Sequence, residues 1–254
     1  MSKKIFAGVG LFLVMFFCRI SLASHVSFEG QYWFPSLNGK VNITAGGISG
    51  TEINMKNDLG MRDENVPEGK FTWTINPKNK ITLSYLWVEY NGNATITKSI
   101  NYNGQTYAIG NHIISQLDLN DINIGWTRYF GNVKNAKFKV GLLLEARGFQ
   151  LKGNLNDTTL ALSTSKTISG VLPTVGLVFS VNPNKKINIF VRASGITAGK
   201  YGYFLDAQGG IKWLLLKNFY ISAGYRTLDI EGKSDPDYAK IQLSGPFVVA
   251  GLKF

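Results

Sequence analysis

Two groups of charged residues lie in stretches where apolar and polar residues alternate, and their types could support chemistry. The first group is Asp121, Glu145 and Arg147, and the second is Arg192, Asp206, Gln208 and Arg226. Two carboxylates held close together, such as Asp121 and Glu145, could share a proton and act in acid–base catalysis. Arginines beside the acids favour ion pairing, because a buried charge needs a partner. The sequence therefore predicts structural polar networks rather than a catalytic pair.

Other residue types that carry out catalysis are scarce. The chain has one cysteine, Cys18, and two histidines, His25 and His112. A thiol nucleophile, a disulfide scaffold and a histidine-built metal site or triad therefore have almost no material. His112 stands in a loop rich in Asn and Gly. We expect no enzyme, no catalytic residue, no metal and no cofactor.

The elements that position these charges are strands. Alternation of apolar and polar side chains with period 2 is the signal of a half-buried strand. The alternating runs are Val26–Phe34, Phe71–Ile75, Ile81–Trp87, Ile122–Trp126, Phe138–Arg147, Val171–Val181, Ile187–Ser194, Ala207–Trp213, Phe219–Tyr225 and Pro246–Phe254. We predict an all-β chain of about ten strands, with eight as an alternative.

Short and long connections alternate between these strands. The short ones are Asn76–Lys80, Gly131–Ala136, Asn182–Lys186 and Leu216–Asn218; the long ones are Asn38–Glu68, Gly92–Ser115, Leu151–Ile168, Gly195–Gly202 and Glu231–Ala239. Short turns at one end and long loops at the other are typical of an antiparallel, up-and-down transmembrane β-barrel. Aromatic residues near both strand ends predict two outward belts at the membrane interfaces, and the belt at the long-loop end includes Tyr32, Phe34, Trp87, Tyr225 and Phe247. A soluble sandwich or lipocalin-like barrel is the alternative, with polar outer faces and connections of mixed length.

Strand pairing predicts where the charges meet inside this barrel. Asp121 is expected beside Glu145 and Arg147. Arg192 is expected opposite Asp206 and Gln208, with Arg226 next to Gln208. We expect two polar networks that fill the lumen, since a ten-stranded barrel is narrow.

The two ends of the chain indicate export and membrane insertion. Lys3 and Lys4, an apolar run over Ile5–Phe17 and a small-residue site ending at Ala23 are typical of a cleaved signal peptide, residues 1–23. Residues 24–254 then form one barrel domain. At the other end, Val248, Leu252 and Phe254 share one face of the last strand. This apolar last strand resembles the terminal strand of Gram-negative outer-membrane β-barrels, and the resemblance implies that the three residues act as an assembly signal.

The charge of the chain is basic, with 27 Lys and Arg against 16 Asp and Glu and a net charge of +11 at pH 7. Many of the lysines stand singly or in pairs in the short turns, which is typical of solvated turns rather than of one nucleic-acid-binding patch. No nucleic-acid partner is expected. The resemblance of the last strand to that of Gram-negative outer-membrane β-barrels implies the lipid bilayer, lipopolysaccharide and the barrel-assembly machinery as partners, and the chain is expected to be a monomer.

The stretch Gly224-Tyr225-Arg226-Thr227-Leu228-Asp229, with Gly245-Pro246 and the terminal Phe254, resembles the last hairpin of small Gram-negative outer-membrane β-barrels, the class that includes OmpA-like and OmpW-like proteins. The resemblance implies location in the cell outer membrane, and it implies little about activity because the class is functionally mixed. Omptin-type proteases share the ten strands, but they carry an acidic cluster with a catalytic histidine at the outer rim, where this chain has only His112.

We therefore predict an outer-membrane barrel with a structural or passive role, a lumen largely filled by polar side chains, and long surface loops. Two alternatives stay open. One is a narrow channel for small or hydrophobic solutes, and the other is a surface enzyme that acts on lipopolysaccharide or peptides.

Overall fold

A computed structural model describes residues 25–133 and 136–254. The predicted signal peptide, residues 1–23, lies outside the described residues. None of the helices in the described ranges is long and apolar enough to cross a membrane.

The described chain is built of strands joined by turns, with one short 3₁₀ helix, Gly199–Tyr201. In chain order the strands are β1 (His25–Trp33), β2 (Ser36–Asn42), β3 (Ile53–Asn54), β4 (Val66–Asn76), β5 (Asn79–Thr95), β6 (Ile100–Tyr102), β7 (Gln105–Tyr107), β8 (His112–Tyr129), β9 (Phe138–Asp157), β10 (Leu162–Val181), β11 (Ile187–Thr197), β12 (Gly202–Leu214), β13 (Phe219–Ser234) and β14 (Asp237–Lys253).

Ten of these strands close into an antiparallel barrel in the order β1-β4-β5-β8-β9-β10-β11-β12-β13-β14. Closure occurs at β1, where Gly30 pairs with Gly69 of β4 on one side and with Ala250 of β14 on the other. The predicted ten-stranded barrel is confirmed. β2 continues along the outer half of β14, and β3 pairs with β2.

One end of the barrel, here called the lower end, carries the short turns. In each of the two Asn-Pro turns, an Asn side chain accepts hydrogen bonds from the backbone N–H groups two and three residues later. Asn76 accepts hydrogen bonds from the N–H groups of Lys78 and Asn79, and Asn184 accepts from Lys186 and Ile187. This is Asx-turn chemistry, which Asn favours.

At the opposite, outer end the strands run further than predicted. The region 151–168, predicted as a loop, is mostly hairpin: β9 continues to Asp157 and β10 begins at Leu162. The region 92–115 likewise loses residues to β5 and β8, and its remainder contains the β6–β7 hairpin. The long surface loops are therefore largely tall hairpins.

The outward-facing side of the barrel wall forms an apolar belt in the lower half. Its exposed side chains include Leu83, Ile122, Ile124, Trp126, Leu144, Val175, Leu177, Phe179, Ile211, Trp213, Ile221, Val248 and Leu252. Tyr32, Phe34, Trp87 and Tyr225 point outward as the aromatic-belt prediction requires, but Phe247 is buried in the interior. The prediction for Phe247 was wrong because its alternation parity places it opposite Val248.

The polarity of the two barrel faces inverts along the strands. On β8 the inward residues are apolar in the outer half, with Leu117 and Leu119 buried, and polar in the lower half, with Asp121 and Asn123 buried. The outward residues change in the opposite sense, and Ile122 and Ile124 are exposed in the lower half. The lower half thus has the arrangement of a membrane barrel, whereas the outer half has that of a water-soluble one.

An apolar segment folds into the outer half of the barrel. Residues 43–65, called the plug segment below, bury Ile43, Ile53, Met55, Leu59 and Met61 against inward side chains of the barrel wall. This packing corrects the prediction that the lumen is filled mainly by polar residues. Polar filling is confined to the lower half.

Candidate functional site

A layer of buried charges separates the two halves of the lumen. It is called the charge layer below and consists of Glu68, Asp121, Glu145, Arg147, Arg192, Asp206 and Arg226. Alternation aims all seven inward, because each occupies the lumen-facing parity of its strand. The residues come from β4, β8, β9, β11, β12 and β13, so the layer spans most of the barrel wall.

Arg226 is the most extensively paired residue of the layer. Its Nε and Nη2 donate to Oδ1 and Oδ2 of Asp206, each at 2.9 Å, which is a bidentate contact. Its Nη1 donates to Oε2 of Glu68 at 2.5 Å. Bidentate guanidinium–carboxylate pairs are among the stronger and more directional hydrogen bonds in proteins. Arg226 therefore fixes two strands, β4 and β12, relative to β13.

Arg147 connects the wall across the lumen. Its Nη2 lies 2.6 Å from Oδ2 of Asp206, although β9 and β12 are not neighbours in the sheet. Its Nη1 is 3.5 Å from Oδ1 of Asp121, and its Nε is 3.9 Å from Oε2 of Glu145.

Glu145 is held by four donors from three other strands. Arg192 Nη2 lies 2.6 Å from Oε1, Asn123 Nδ2 donates to Oε1 at 2.7 Å, and Thr174 Oγ1 donates to Oε2 at 3.1 Å. Ser194 also donates its hydroxyl to Oε2. Glu145 accordingly binds as an ionised acceptor rather than as half of a carboxylate pair.

Three predictions about these contacts need correction. Glu145 pairs in register with Gly125, and Asp121 with Phe149, so the two acids are not direct neighbours. Arg192 lies opposite Gln208 as predicted, but it binds Glu145 instead of Asp206. The expected two networks are one, because Arg147 of the first group binds Asp206 of the second.

Gln208 lies between Arg192 and Arg226 in the register of β11, β12 and β13. Within the described ranges it makes no hydrogen bond to either arginine, and it lines the cavity below the charge layer instead.

The sequence prediction missed several charged residues of the interior, among them Glu68, Glu29, Lys70 and Lys212. Lys70 Nζ lies 3.9 Å from Glu68 and 3.8 Å from Glu29, and Lys212 Nζ lies 3.0 Å from Glu29. With Lys70, four basic side chains balance the four carboxylates of the charge layer. Glu68 was assigned to a loop, so the alternation of its strand was not recognised. For Glu29 the signal was present, because the alternation of Val26–Phe34 places it on the inner face.

The charge layer is stacked directly against the apolar outer half. The guanidinium of Arg226 lies 4.9 Å from the Trp33 ring centroid, and that of Arg147 lies 4.9 Å from the Phe204 ring centroid. Trp33 Nε1 donates to the Gly245 carbonyl at 3.0 Å. The arginines thus present planar faces to aromatic rings above and N–H edges to carboxylates at the side.

Below the layer is a cavity of about 420 Å³ that opens at the lower end. Its lining includes five lysines, Lys70, Lys80, Lys139, Lys212 and Lys253. Polar lining of this kind fits water. Glu145 and Arg192 form part of its upper end.

Above the layer, the plug segment contacts the barrel wall at short backbone distances. A Cβ at Gly92 of β5 would overlap the Leu59 carbonyl oxygen and the Ser115 hydroxyl. Gly60, with φ of +67°, makes the turn that allows this approach. Glycine is suited to such positions because it lacks a Cβ and tolerates positive φ.

Ion pairs at the outer rim hold the plug segment. Lys98 lies 2.6 Å from Asp58 and Lys40 lies 2.8 Å from Glu52, and both lysines belong to the surrounding chain. A third pair, Lys56 with Asp63 at 2.6 Å, lies within the segment. Burial alone would raise the pKa of Asp63, but the Lys56 ammonium and the Leu37 N–H, 2.7 Å away, hold the pKa below its usual range. Burial and a hydrogen bond to Glu52 raise the pKa of Tyr238 to about 12.

His112, the rim histidine, contacts hydroxyls. Its Nδ1 lies 2.9 Å from Thr158 Oγ1, and its backbone N–H donates to Thr159. The nearby carboxylate of Asp157 caps the hairpin turn by accepting from the N–H groups of Thr159 and Leu160. Among the described residues, no group of three or more His, Cys, Asp or Glu is placed to hold a metal ion.

Comparison of the whole fold with solved structures finds outer-membrane β-barrels. The outer-membrane protease OmpT from Escherichia coli superposes with a TM-score of 0.60 at 10% identity, covering 93% of this chain and 99% of that chain. Ail from Yersinia pestis matches with a TM-score of 0.40 at 12% identity over 92% and 100%, and the toluene transporter TodX from Pseudomonas putida with 0.31 at 7% over 91% and 90%. No family model and no curated protein sequence matches the chain.

The chain has the outer-membrane β-barrel fold, and the similarity to OmpT carries this conclusion. The predicted resemblance to this class is thereby confirmed, and the apolar belt agrees with the predicted location in the outer membrane. At 10% identity the likeness extends to the fold and no further.

Proposed function

We propose that this protein is a closed, non-catalytic outer-membrane scaffold that presents its tall outer hairpins to the cell exterior. The observation that carries the proposal is the pair of stacked interior layers, the apolar plug segment above and the paired charge layer below. The plug segment packs against one side of the lumen, and the charge layer joins strands across the lumen with buried side chains.

Opening a path through these layers would be costly. Arg147 and Arg226 each lie between carboxylates, and removing one partner from a buried ion pair leaves an uncompensated charge. The apolar layer would in addition have to expose Leu, Ile and Met side chains to water. The lower cavity is therefore interpreted as a water-filled vestibule that ends at the charge layer.

A narrow channel is the second candidate, and the basic lower cavity favours it. Lys80, Lys139 and Lys253 line that cavity without a carboxylate partner among the described residues, so the vestibule is suited to anions. Passage would still require both layers to move.

The non-enzymatic part of the proposal is supported at both candidate positions. The interior acids Glu145 and Asp206 each accept hydrogen bonds from an arginine, which favours their ionised form and disfavours a proton-sharing role. At the rim, His112 is oriented by a threonine hydroxyl rather than by a carboxylate. The proposal also includes a monomer that the barrel-assembly machinery inserts into a bilayer containing lipopolysaccharide.

Planar-bilayer conductance tests the closed state. We expect no steady conductance from the full chain, and none when residues 46–62 are replaced by a short Gly/Ser linker, because the charge layer remains. Combining that replacement with Arg147→Ala and Arg226→Ala should produce open events. A steady conductance from the unaltered chain would favour the channel instead, and absence of events from the combined variant, if folded, would show that other side chains close the lumen.

A further inference from the structure

The outer half of the barrel contains an apolar cavity beside the plug segment. It has a volume of about 370 Å³, and its lining includes Phe149, Leu151, Ile168, Leu172, Phe204 and Ile230. Volumes of this size are typical of sites for small molecules. The plug segment contacts β2, β5 and β8, where Gly39, Gly92 and Ser115 lie against it, whereas most of the cavity lining comes from β9 to β14.

The barrel wall is open beside this cavity. The pairing of β10 with β11 stops at Val175 and Gly195, although β10 continues outward to Leu162. Over this stretch β10 pairs only with β9, and the last residues of β11 pair only with β12. Ile168 is on the inward parity of β10 but is 39% exposed. The seam between β10 and β11 therefore gives lateral access to the cavity.

The seam lies at the outer edge of the apolar belt. Val171, next to the seam on the outward face of β10, is 73% exposed. Leu205 on β12, in register with Gly195 where the β10–β11 pairing ends, is also outward and exposed. Lipid at this height would present acyl chains below the seam and head groups above it. An apolar cavity that opens sideways at this height faces lipid rather than bulk water.

One cation stands at the mouth of the cavity without an acidic partner. Lys166 lies on the inward parity of β10 and lines the cavity, and no carboxylate pairs with it within the described ranges. The other lysine of the lining, Lys233, is paired with Glu231 at 2.6 Å. Lys166 is therefore available to an anionic group.

We propose that this cavity binds one acyl chain of an anionic membrane amphiphile, which enters from the bilayer through the β10–β11 seam. The chain would lie against Leu172, Ile230 and Phe204, and the anionic head group would bind Lys166. Packing against the cavity wall and the ion pair with Lys166 supply the preference over the surrounding lipid, and the lysine fixes the direction of the chain. Because Phe204 stacks on Arg147 at the floor, the bound chain ends above the charge layer. The site is thus a binding site and not a passage, and it is independent of whether the barrel conducts.

Binding of palmitate to the protein in lipid nanodiscs tests the cavity. Leu172→Trp fills it, and Ile124→Trp is the matched control, because it makes the same kind of change at an outward position of the apolar belt on β8, two strands away from β10. We expect Leu172→Trp to weaken binding by at least about tenfold and Ile124→Trp by less than about twofold.

The head-group part is tested with Lys166→Gln, with the outward Lys152→Gln on the neighbouring strand as control. We expect Lys166→Gln to weaken palmitate binding by about five- to tenfold and to leave hexadecanol binding unchanged. Lys152→Gln should change neither. Equal binding by wild type and Leu172→Trp, or equal losses in both tryptophan variants, would overturn the site. A Lys166→Gln variant that binds palmitate like wild type would overturn the anionic specificity, and this variant keeps the test valid if Leu172→Trp fails to fold.

Discussion

Arg147 on β9 and Asp206 on β12 are joined by a 2.6 Å contact across the lumen, with two strands of wall between them. Neighbouring strands of a barrel are already joined by backbone hydrogen bonds, so such a contact adds a constraint of a different kind. It ties together opposite parts of the wall and closes the space between them. The same Asp206 receives Arg226 from the adjacent strand, and the carboxylate is the shared centre of the layer.

Replacing Arg226 by Met should destabilise the barrel by about 3–5 kcal/mol, because Glu68 and Asp206 lose a buried cation. Unfolding in urea from lipid vesicles measures the change in free energy. Arg128→Met is the matched control, since Arg128 is exposed on the outer face, and its effect should be below about 0.5 kcal/mol. Adding Glu68→Gln to Arg226→Met should recover part of the loss. Equal stability of Arg226→Met and wild type would contradict the paired layer.

Replacing Gly92 by Ala should loosen the plug segment, since the new Cβ would overlap the Leu59 carbonyl and the Ser115 hydroxyl. We expect faster amide hydrogen exchange over residues 53–61 with the rest of the barrel unchanged. Gly30→Ala is the control, because a Cβ at Gly30 meets no atom within 4 Å. Unchanged exchange in Gly92→Ala would mean that the plug segment is not held at this contact.

Acidification should release the rim contact of Asp63. The pKa of Asp63 is lowered in the folded protein, so its stabilising contribution is present above the ordinary Asp pKa of about 4 and is lost as pH falls through the lowered value. Asp63→Asn should speed up hydrogen exchange of the Leu37 amide at pH 7. It should also remove the extra exchange that protonation of Asp63 causes at low pH. Glu64→Gln, the adjacent acid, should leave the Leu37 amide unchanged. An Asp63→Asn variant with wild-type exchange at pH 7 would show that the carboxylate does not hold this strand.

Replacing Phe254 by Ala should impair assembly more than stability. Its backbone pairs with Val26 through two hydrogen bonds that the substitution retains, and its side chain is 61% exposed on the outer face, so the lost burial is at most roughly 2 kcal/mol. The heat-modifiable fraction in isolated membranes measures assembly. Phe138→Ala is the control, because this side chain is also an outward aromatic near the lower end. Equal assembly of the two variants would mean that Phe254, with Leu252 and Val248, is not an assembly signal.

The lower half of the barrel could be predicted from alternation because its outward face is uniformly apolar. Ile122, Ile124 and Trp126 give an unbroken pattern, and so do Val175, Leu177 and Phe179. The outer half was misread because its apolar residues point inward. Leu117 and Leu119 have the opposite parity from Ile122 and Ile124, so the pattern changes phase at Asn120 and resembles the end of a strand.

The composition of the charge layer could be predicted except for Glu68, but its pairing could not. Inward parity identified the other six residues of the layer as interior residues. Their contacts depend on which side chains meet across the lumen, and this is set by barrel closure and strand tilt rather than by the neighbouring strand. The pairs Arg147–Asp206 and Arg192–Glu145 are of that kind.

The inversion of polarity along each strand means that one strand face meets two different solvents. A serine that replaces an outward residue near Ile124 would sit in lipid, whereas the same replacement near Asp118 would sit in water. On the inward face the order reverses: a serine near Asn123 would join polar groups, and one at Leu119 would leave a hole in an apolar core. The effect of a polar substitution on stability should therefore change at the same height on every tall strand, and in opposite directions on the two faces. That height would locate the bilayer surface without any measurement on the lipid itself.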